Sequence, residues 1–362
     1  MTKRPSYIPA GIDIAAAWSW RLLLIAGAGG LLIWLLRYFS EVTVPIAIGI
    51  LLAALTSGAV NWLAAHKIPR LAATFLIVIA IVTVVFGLLT LAGQQLASQI
   101  DDLKASVVEG ISQVQDWART GPLHVSDAQV QTWIDQAKAT ISSSDTSLLS
   151  RVTEVGLRIG HIVAGFFITL FTTFFFLYEG DRIWSWIMVL FPAGSRGRIN
   201  SSGQTAWRSL TAFVRATVVV ALTDALGVMI AAWILGVPLA FAIGVLVFLG
   251  AFIPIIGALI AGSVAVLVAL VAQGPWVALF MLIGVIIVQQ TEAHVLQPFL
   301  MGRFVALHPL AIIIAIAAGV IVAGIVGALI AVPLAACLNG VVRHLSAEAR
   351  TFQADPEPVG HA

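Results

Sequence analysis

The sequence predicts an all-α polytopic membrane protein with about eight hydrophobic segments, two of them broken. Only 10% of its 362 residues are charged and 60% are hydrophobic, whereas a soluble domain carries about 25% charged residues. Runs of roughly 17–25 apolar residues, long enough to cross a bilayer as helices, recur along the chain. A six-residue motif also occurs twice: residues 256–261 read IGALIA and residues 326–331 read VGALIA. We call these two segments the repeated phrases.

Six of the hydrophobic runs have the length of a single span, and two are longer. The longer runs, 238–272 and 309–340, would form straight helices of about 52 Å and 48 Å, against a hydrocarbon core of about 30 Å. Each is therefore predicted to be a helical hairpin or a discontinuous helix. The predicted breakers are Gly250, Pro254 and Gly257 in the first run, and Gly319, Gly324, Gly327 and Pro333 in the second. The six ordinary runs are 19–38, 43–65, 71–94, 155–178, 211–235 and 275–291.

Lysine and arginine in the short loops predict that both termini are cytoplasmic. Four regions follow from this topology. Residues 1–94 form a three-span region, and residues 95–154 form an extracytoplasmic insert of amphipathic helices. Residues 155–345 form the transmembrane core, and residues 346–362 form a flexible cytoplasmic tail. The insert helices either cover each other or build a binding unit.

The position of the two long runs suggests an inverted pair of hairpins. Matching Pro-Leu-Ala triplets, at Pro238 and Pro309, precede the repeated phrases, and one full span separates the two runs. Inverted pairs of broken helices form the substrate sites of many secondary transporters. Broken helices persist only inside protein or along a water-filled cavity, so a polar path is expected near Gly257 and Gly327. The alternative is that Gly and Pro merely permit close helix packing.

Asp224 lies near the middle of the run 211–235. A carboxylate at that depth costs about 2.5–3.5 kcal/mol on insertion scales unless it faces protein or water. The stripe of small residues around it predicts that this face of the helix packs inward. Asp224 is either a proton-coupling, cation-coupling or substrate-contacting residue, or a structural hydrogen-bonding group.

A second polar stretch joins the span 275–291 to the second long run. Helical spacing places three side chains on one face and Glu292 away from them, and a proline then interrupts the helix. The stretch is either part of a substrate gate or a solvated interfacial loop. Pro298 and Pro309 are further predicted broken-helix positions, and His308 is a further ion-coupling or substrate candidate. The three side chains on one face are Gln290, His294 and Gln297.

Several classes of function lack their sequence signals. The chain has no Walker A pattern, no HExxH zinc pattern and no GxSxG elbow, so an enzyme, a cofactor and a metal centre are not expected. The net charge of +2 gives no support for a nucleic-acid partner. The expected partners are the lipid bilayer and a small-molecule or ion substrate. A single cysteine, Cys337, excludes a disulfide within the chain.

Several short segments together are typical of one protein family: 252–257 (FIPIIG), 292–298 (EAHVLQP), Gly302, 307–310 (LHPL), Gly319, Gly324, Gly327 and 332–335 (VPLA). With these segments the chain resembles, over most of its length, the autoinducer-2 exporter-like (AI-2E) family of bacterial permeases. The resemblance implies a bacterial inner-membrane transporter, with members linked to furanone export or to sodium- or lithium-proton exchange, and with possible homo-oligomers. It adds weight to Glu292, Pro298, His308 and Pro309.

The resulting hypothesis is a secondary transporter that works by alternating access around a midplane site between the two broken segments. Asp224 and Glu292 would couple proton or sodium movement to transport of a small polar solute such as a signalling furanone, or to sodium-proton exchange. Two alternatives remain: a passive channel or facilitator, and a non-transporting membrane scaffold that acts through the insert.

Overall fold

A computed structural model of the chain describes residues 10–120, 148–253, 256–296 and 308–354. Within these ranges the chain forms helices and no strand. Eight of the helical stretches are long and apolar enough to cross a membrane, which confirms the predicted fold class. The helices are α1 (Ala10–Tyr38), α2 (Ser40–Ala65), α3 (Arg70–Thr120), α4 (Leu148–Val189), α5 (Arg196–Ile234), α6 (Ala240–Gly250), α7 (Ile256–Gln273), α8 (Pro275–Thr291), a π-helical segment (Glu292–Leu296) and α9 (Pro309–Ala354).

The outer surface of the bundle is apolar and its interior is built largely from small residues. Large side chains such as Trp18, Ile162 and Trp276 are well exposed, as they are when lipid surrounds the helices. Alanines such as Ala53 and Ala221 are fully buried. Small residues let helix backbones approach closely, which is the main source of helix association in lipid.

Helices α6 and α7 form a tight hairpin, here called hairpin 1 (residues 240–273). The backbones of Gly250 and Gly257 touch, so that a Cβ on Gly257 would collide with the Gly250 carbonyl oxygen. At the base, Gln273 Nε2 donates a hydrogen bond to the Gly236 carbonyl oxygen just before α6. The two arms therefore start and end on the same side, and the run 238–272 is not one straight span.

Helix α9 also folds back on itself and forms hairpin 2 (residues 309–354). The reversal lies at Ala323 (φ −141°, ψ 27°) and Gly324 (φ 61°, ψ −145°). Gly324 adopts a positive φ that glycine tolerates without steric cost. Gly319 in the first arm contacts Gly327 and Ala331 in the second, although a straight helix would hold Gly319 and Ala331 about 18 Å apart.

Two predicted broken-helix positions, Pro333 and Pro309, do not interrupt a helix. Pro333 lies inside the second arm of hairpin 2, where the backbone stays helical. A proline removes one hydrogen bond and bends a helix, but packing against neighbours keeps the arm helical here. Pro309 is the first residue of α9, the position at which the missing N–H of proline costs nothing.

The two hairpins enter the bundle from opposite ends of α5. Hairpin 1 begins directly after the end of α5, whereas the second arm of hairpin 2 ends beside its start. There His344 Nε2 lies 3.1 Å from Ser201 Oγ, and Cys337 Sγ lies 3.5 Å from the Ala206 carbonyl oxygen. The inverted arrangement predicted from the repeated phrases is therefore present. We call the end of the bundle at which α5 stops the insert side.

Helix α3 continues without a break past the predicted boundary at residues 94 and 95. Its 51 residues would extend about 76 Å, well beyond the bilayer core of about 30 Å. The first insert helix is thus an extension of the third span rather than a separate element. The second predicted insert helix, around residues 130–141, and the tail from residue 355 lie outside the described residues.

An arginine at the start of α3 supports a kink in α4. The backbone of α4 leaves helical geometry at Glu179, two residues after Leu177. Arg70 Nε donates a hydrogen bond of 3.1 Å to the Leu177 carbonyl oxygen. The Arg70 guanidinium also lies 3.5 Å from the Asp181 carboxylate, which is 96% exposed.

We expect Arg70→Ala to lower stability more than Asp181→Asn, because the first change removes a donor to a buried carbonyl. A net hydrogen bond contributes about 0.5–1.5 kcal/mol, and an exposed ion pair about 0–1 kcal/mol. Thermal unfolding of both variants in the same detergent measures the difference. Equal shifts in the two variants would contradict the assigned role of the Leu177 hydrogen bond.

Candidate functional site

The tips of the two hairpins meet at a cavity of about 150 Å³. Hairpin 1 lines it with the turn and the first residues of α7, and hairpin 2 lines it from both sides of its reversal. Pro254, a predicted breaker of the first run, is outside the described residues. The lining residues are Leu246, Gly250, Ile253, Ile256, Gly257, Ile260, Ala261, Val320, Ile325 and Ala328.

The repeated phrases occupy equivalent places in the two hairpins. Each begins the arm that leaves the tip, and each places a glycine against a glycine of the preceding arm: Gly257 against Gly250, and Gly327 against Gly319. A side chain at either position would force the arms apart. The two glycine pairs therefore set the width of both tips and the shape of the cavity.

The cavity is lined by apolar side chains, which differs from the polar path expected near Gly257 and Gly327. The turn of hairpin 1 satisfies backbone groups that the break would free. Ile253 N–H donates to the Gly250 carbonyl oxygen, and Gly257 N–H donates to the Ile253 carbonyl oxygen, both at 2.9 Å. These two hydrogen bonds stay within the turn, so the described backbone groups that form them need no water or polar side chain.

Asp224 lies deep in the bundle on α5, and its residue is only 3% exposed. Its neighbours on the same face, Ala221 and Val228, are fully or almost fully buried, as the stripe of small residues predicts. Among the described residues, Asp224 Oδ1 has no hydrogen-bond partner. A buried carboxylate with an unsatisfied oxygen is costly, which makes Asp224 a candidate for binding a proton or a cation.

A second acidic residue, Glu292, lies near Asp224 because of the way in which helices α5 and α8 pack. Helices α5 and α8 run antiparallel, with Gly227 against Val288 and Gly284 against Ala231. One turn further along, this register pairs the region of Asp224 with the start of the π-helical segment. Helix α5 contacts this segment, so Glu292 lies near Asp224. Short π-helical segments often mark functional sites, because they redirect side chains within a helix.

The other candidates from the polar stretch lie at the surface. Gln290 and His294 are exposed, and His294 Nδ1 lies 3.0 Å from the Gln290 carbonyl oxygen. His308 is exposed as well, and its Nδ1 accepts a hydrogen bond of 3.2 Å from Leu310 N–H at the start of α9. Gln297 and Pro298 lie outside the described residues. The structure thus brings Asp224 and Glu292 together and places the two histidines elsewhere.

Arg215, the other charged residue of this part of α5, does not face Asp224. Its guanidinium packs against Gly58 of α2. Two residues that the sequence analysis did not single out, Gln95 and Gln99 of α3, contact the start of hairpin 1. The sequence feature that could have pointed to them is the start of α6, which has no Ser, Thr, Asp or Asn to cap it.

Comparison with known proteins shows which family the sequence matches. The family model described as AI-2E family transporter matches residues 22–347. A chain of Mycobacterium tuberculosis (strain CDC 1551 / Oshkosh), provisionally named transport protein MT0215, is 40% identical over 330 residues, which cover 91% of this chain and 90% of the relative.

Two more distant relatives carry more specific names. The AI-2 transport protein TqsA of Escherichia coli (strain K12) is 22% identical over 317 residues, covering 87% of this chain and 89% of the relative. A sodium-lithium/proton antiporter of Halobacillus andaensis is 22% identical over 355 residues, covering 90% of this chain and 96% of the relative. These names describe the relatives, and both alignments span nearly the whole bundle.

Proposed function

The chain belongs to the AI-2E transporter family, and we propose that it is a secondary transporter that exchanges protons for sodium or lithium. The observation that carries the proposal is Asp224, a buried carboxylate with an unsatisfied oxygen near Glu292. Two neighbouring acidic groups favour a bound proton or a small cation, because either one relieves their repulsion. Coupling then follows if the proton and the cation compete for the same carboxylates.

The hairpins supply the alternating access in this proposal. Hairpin 1 separates the cavity from the insert side, and hairpin 2 separates it from the opposite side. Movement of one tip at a time would expose the cavity to one side only. The glycine contacts within each hairpin keep its two arms together, so that each hairpin moves as one body.

The exchange is tested with the purified full chain in proteoliposomes that contain a pH-sensitive dye. We expect addition of sodium or lithium chloride to move protons across the membrane, while choline chloride does not. Absence of any sodium- or lithium-driven proton movement would contradict the proposed exchange. Proton leakage at the same rate in all three salts would instead indicate a passive channel.

A small polar solute such as a furanone is a second candidate substrate, because the tips enclose a cavity of about 150 Å³. TqsA, named for AI-2 transport, aligns over this region. Release of a preloaded furanone from the same vesicles, dependent on an imposed proton gradient, would support this candidate. Release without a gradient would favour a facilitator.

The proposed location is a bacterial inner membrane, and the proposed orientation has both termini in the cytoplasm. In a Cys337→Ser background, we expect Gln273→Cys at the insert side to react with a membrane-impermeant thiol reagent in intact cells, and His308→Cys not to react. The opposite pattern would invert the topology. Assembly into homo-oligomers remains a prediction from the family.

A further inference from the structure

The first helix of hairpin 1 begins without a cap of its own. The residue before α6 is Leu239, which adopts a left-handed conformation (φ 62°, ψ 22°) and has no side-chain oxygen. The first amides of a helix have no partner within the helix, and a Ser, Thr, Asp or Asn side chain usually accepts from one of them. Leu239 is buried, so its amide needs an acceptor from another part of the chain.

Two glutamines of α3 supply the missing acceptors. Gln99 Oε1 accepts a hydrogen bond of 3.1 Å from Leu239 N–H. Gln95 Oε1 accepts one of 2.9 Å from Ala242 N–H, the third residue of α6, which is an amide that a capping side chain typically satisfies. Since Gln95 and Gln99 are four residues apart, both lie on the same face of α3.

Glutamine side chains thus form hydrogen bonds at the base of both arms of hairpin 1. Gln273, at the end of α7, binds the Gly236 carbonyl oxygen, while Gln95 and Gln99 bind the start of α6. Each of these contacts joins a side chain to a backbone group at the insert side of the bundle. Outward movement of hairpin 1 would bring water to these groups, so releasing the contacts costs only the net free energy of a few hydrogen bonds.

We infer that Gln95 and Gln99 are positioning residues that clamp hairpin 1 in its closed position against α3, and that release of this clamp opens the cavity to the insert side. The inference rests on the proposed transport function, in which hairpin 1 is the gate on that side. Helix α3 is continuous from Arg70 to Thr120, so the clamp also links the gate to the part of α3 that extends beyond the membrane.

The chain offers variants that separate the acceptor oxygen from the bulk of the side chain. Glutamate retains an oxygen that can accept from the same amides, whereas leucine has a similar size and no acceptor. Gln94, one position before Gln95, is exposed on another face of α3 and provides the matched control. A functional clamp requires Gln95→Leu and Gln99→Leu to differ both from the glutamate variants and from Gln94→Leu.

The experiment measures access to the cavity instead of transport. Ile253→Cys, in a Cys337→Ser background, places a thiol at the tip of hairpin 1 in the cavity wall. The full chain is placed in lipid nanodiscs, so that a charged thiol reagent reaches both sides. Losing two hydrogen bonds should raise the labelling rate of the Gln95→Leu/Gln99→Leu variant by about tenfold. The Gln95→Glu/Gln99→Glu and Gln94→Leu variants should label at the parental rate.

Two outcomes would overturn the inference: parental labelling in the double leucine variant, or equal acceleration by Gln94→Leu. If the double variant does not fold, the single Gln95→Leu and Gln99→Leu variants should each label about three times faster than the parent, and unchanged rates in both would overturn the clamp. Labelling that follows the clamp without any ion exchange would contradict only the proposed transport. Ion exchange with labelling that ignores the clamp would contradict only this inference.

Discussion

Replacing Asp224 with asparagine should reduce sodium- and lithium-driven proton movement to the level of empty vesicles, while the unfolding temperature stays the same or rises. Asparagine has nearly the shape of aspartate but neither binds a proton nor carries a charge. The change also removes a buried carboxylate whose Oδ1 is unsatisfied among the described residues and which lies near the acidic Glu292. Such a group costs about 1–3 kcal/mol or more when buried, so neutralising it should not destabilise the fold.

The combination of lost exchange and retained stability distinguishes coupling from a structural role. If Asp224 serves only as a hydrogen-bonding group, asparagine should support exchange at nearly the native rate. Asp181→Asn is the matched control, because its side chain is 96% exposed and lies far along the sequence from the hairpins. It should leave both the flux and the unfolding temperature almost unchanged. Native flux in Asp224→Asn would contradict the assigned role of this carboxylate.

The second large effect is expected from Gly257→Ala and Gly327→Ala. Each new methyl group would meet a carbonyl oxygen of the opposite arm, at Gly250 and Gly319 respectively, and a backbone atom cannot rotate away as a side chain can. Overpacking typically costs about 1–3 kcal/mol, and these positions should lie at the upper end of that range. Both variants should also lose transport, because separated arms change the shape of the tips.

Two other glycines provide the control for this prediction. A Cβ added at Gly87 or Gly93 of α3 would meet nothing within 4 Å. Alanine in a helix is favoured over glycine by about 0.5–1 kcal/mol, so Gly87→Ala and Gly93→Ala should be neutral or stabilising. Thermal unfolding of the four variants tests the contrast. Equal effects at all four positions would contradict the assigned role of the glycine contacts.

The hairpins could be predicted from the sequence because their signals are local. Two apolar runs too long for one span, with glycines near the middle, leave little choice but a break, and the repeated phrase marks the arm that follows it. The exact break was less accessible. The sequence marks both Gly324 and Pro333 as possible breaks in the second run. Only the backbone shows that the reversal lies at Gly324 and that Pro333 stays within a helical arm.

The composition of the site depended on contacts between distant segments, which a single sequence does not specify. Asp224 was predictable because a carboxylate within a span is rare. From the sequence, Glu292 belongs to a polar stretch. Its closeness to Asp224 depends on the antiparallel register of α5 and α8, which the contacts of Gly227 with Val288 and of Gly284 with Ala231 set. Gln95 and Gln99 were missed because their partners are backbone amides of another helix, so no side-chain pattern identifies them.

The central claim is that transport requires the two hairpin tips to move relative to each other. Ile253→Cys and Val320→Cys, in a Cys337→Ser background, place one thiol on each side of the shared cavity. A short bifunctional thiol reagent with a reducible linkage can then tie the tips together. We predict that the reagent links the pair, that linked protein loses sodium- and lithium-driven proton movement, and that reduction restores it. Failure to form the link, or native exchange by fully linked protein, would contradict the account.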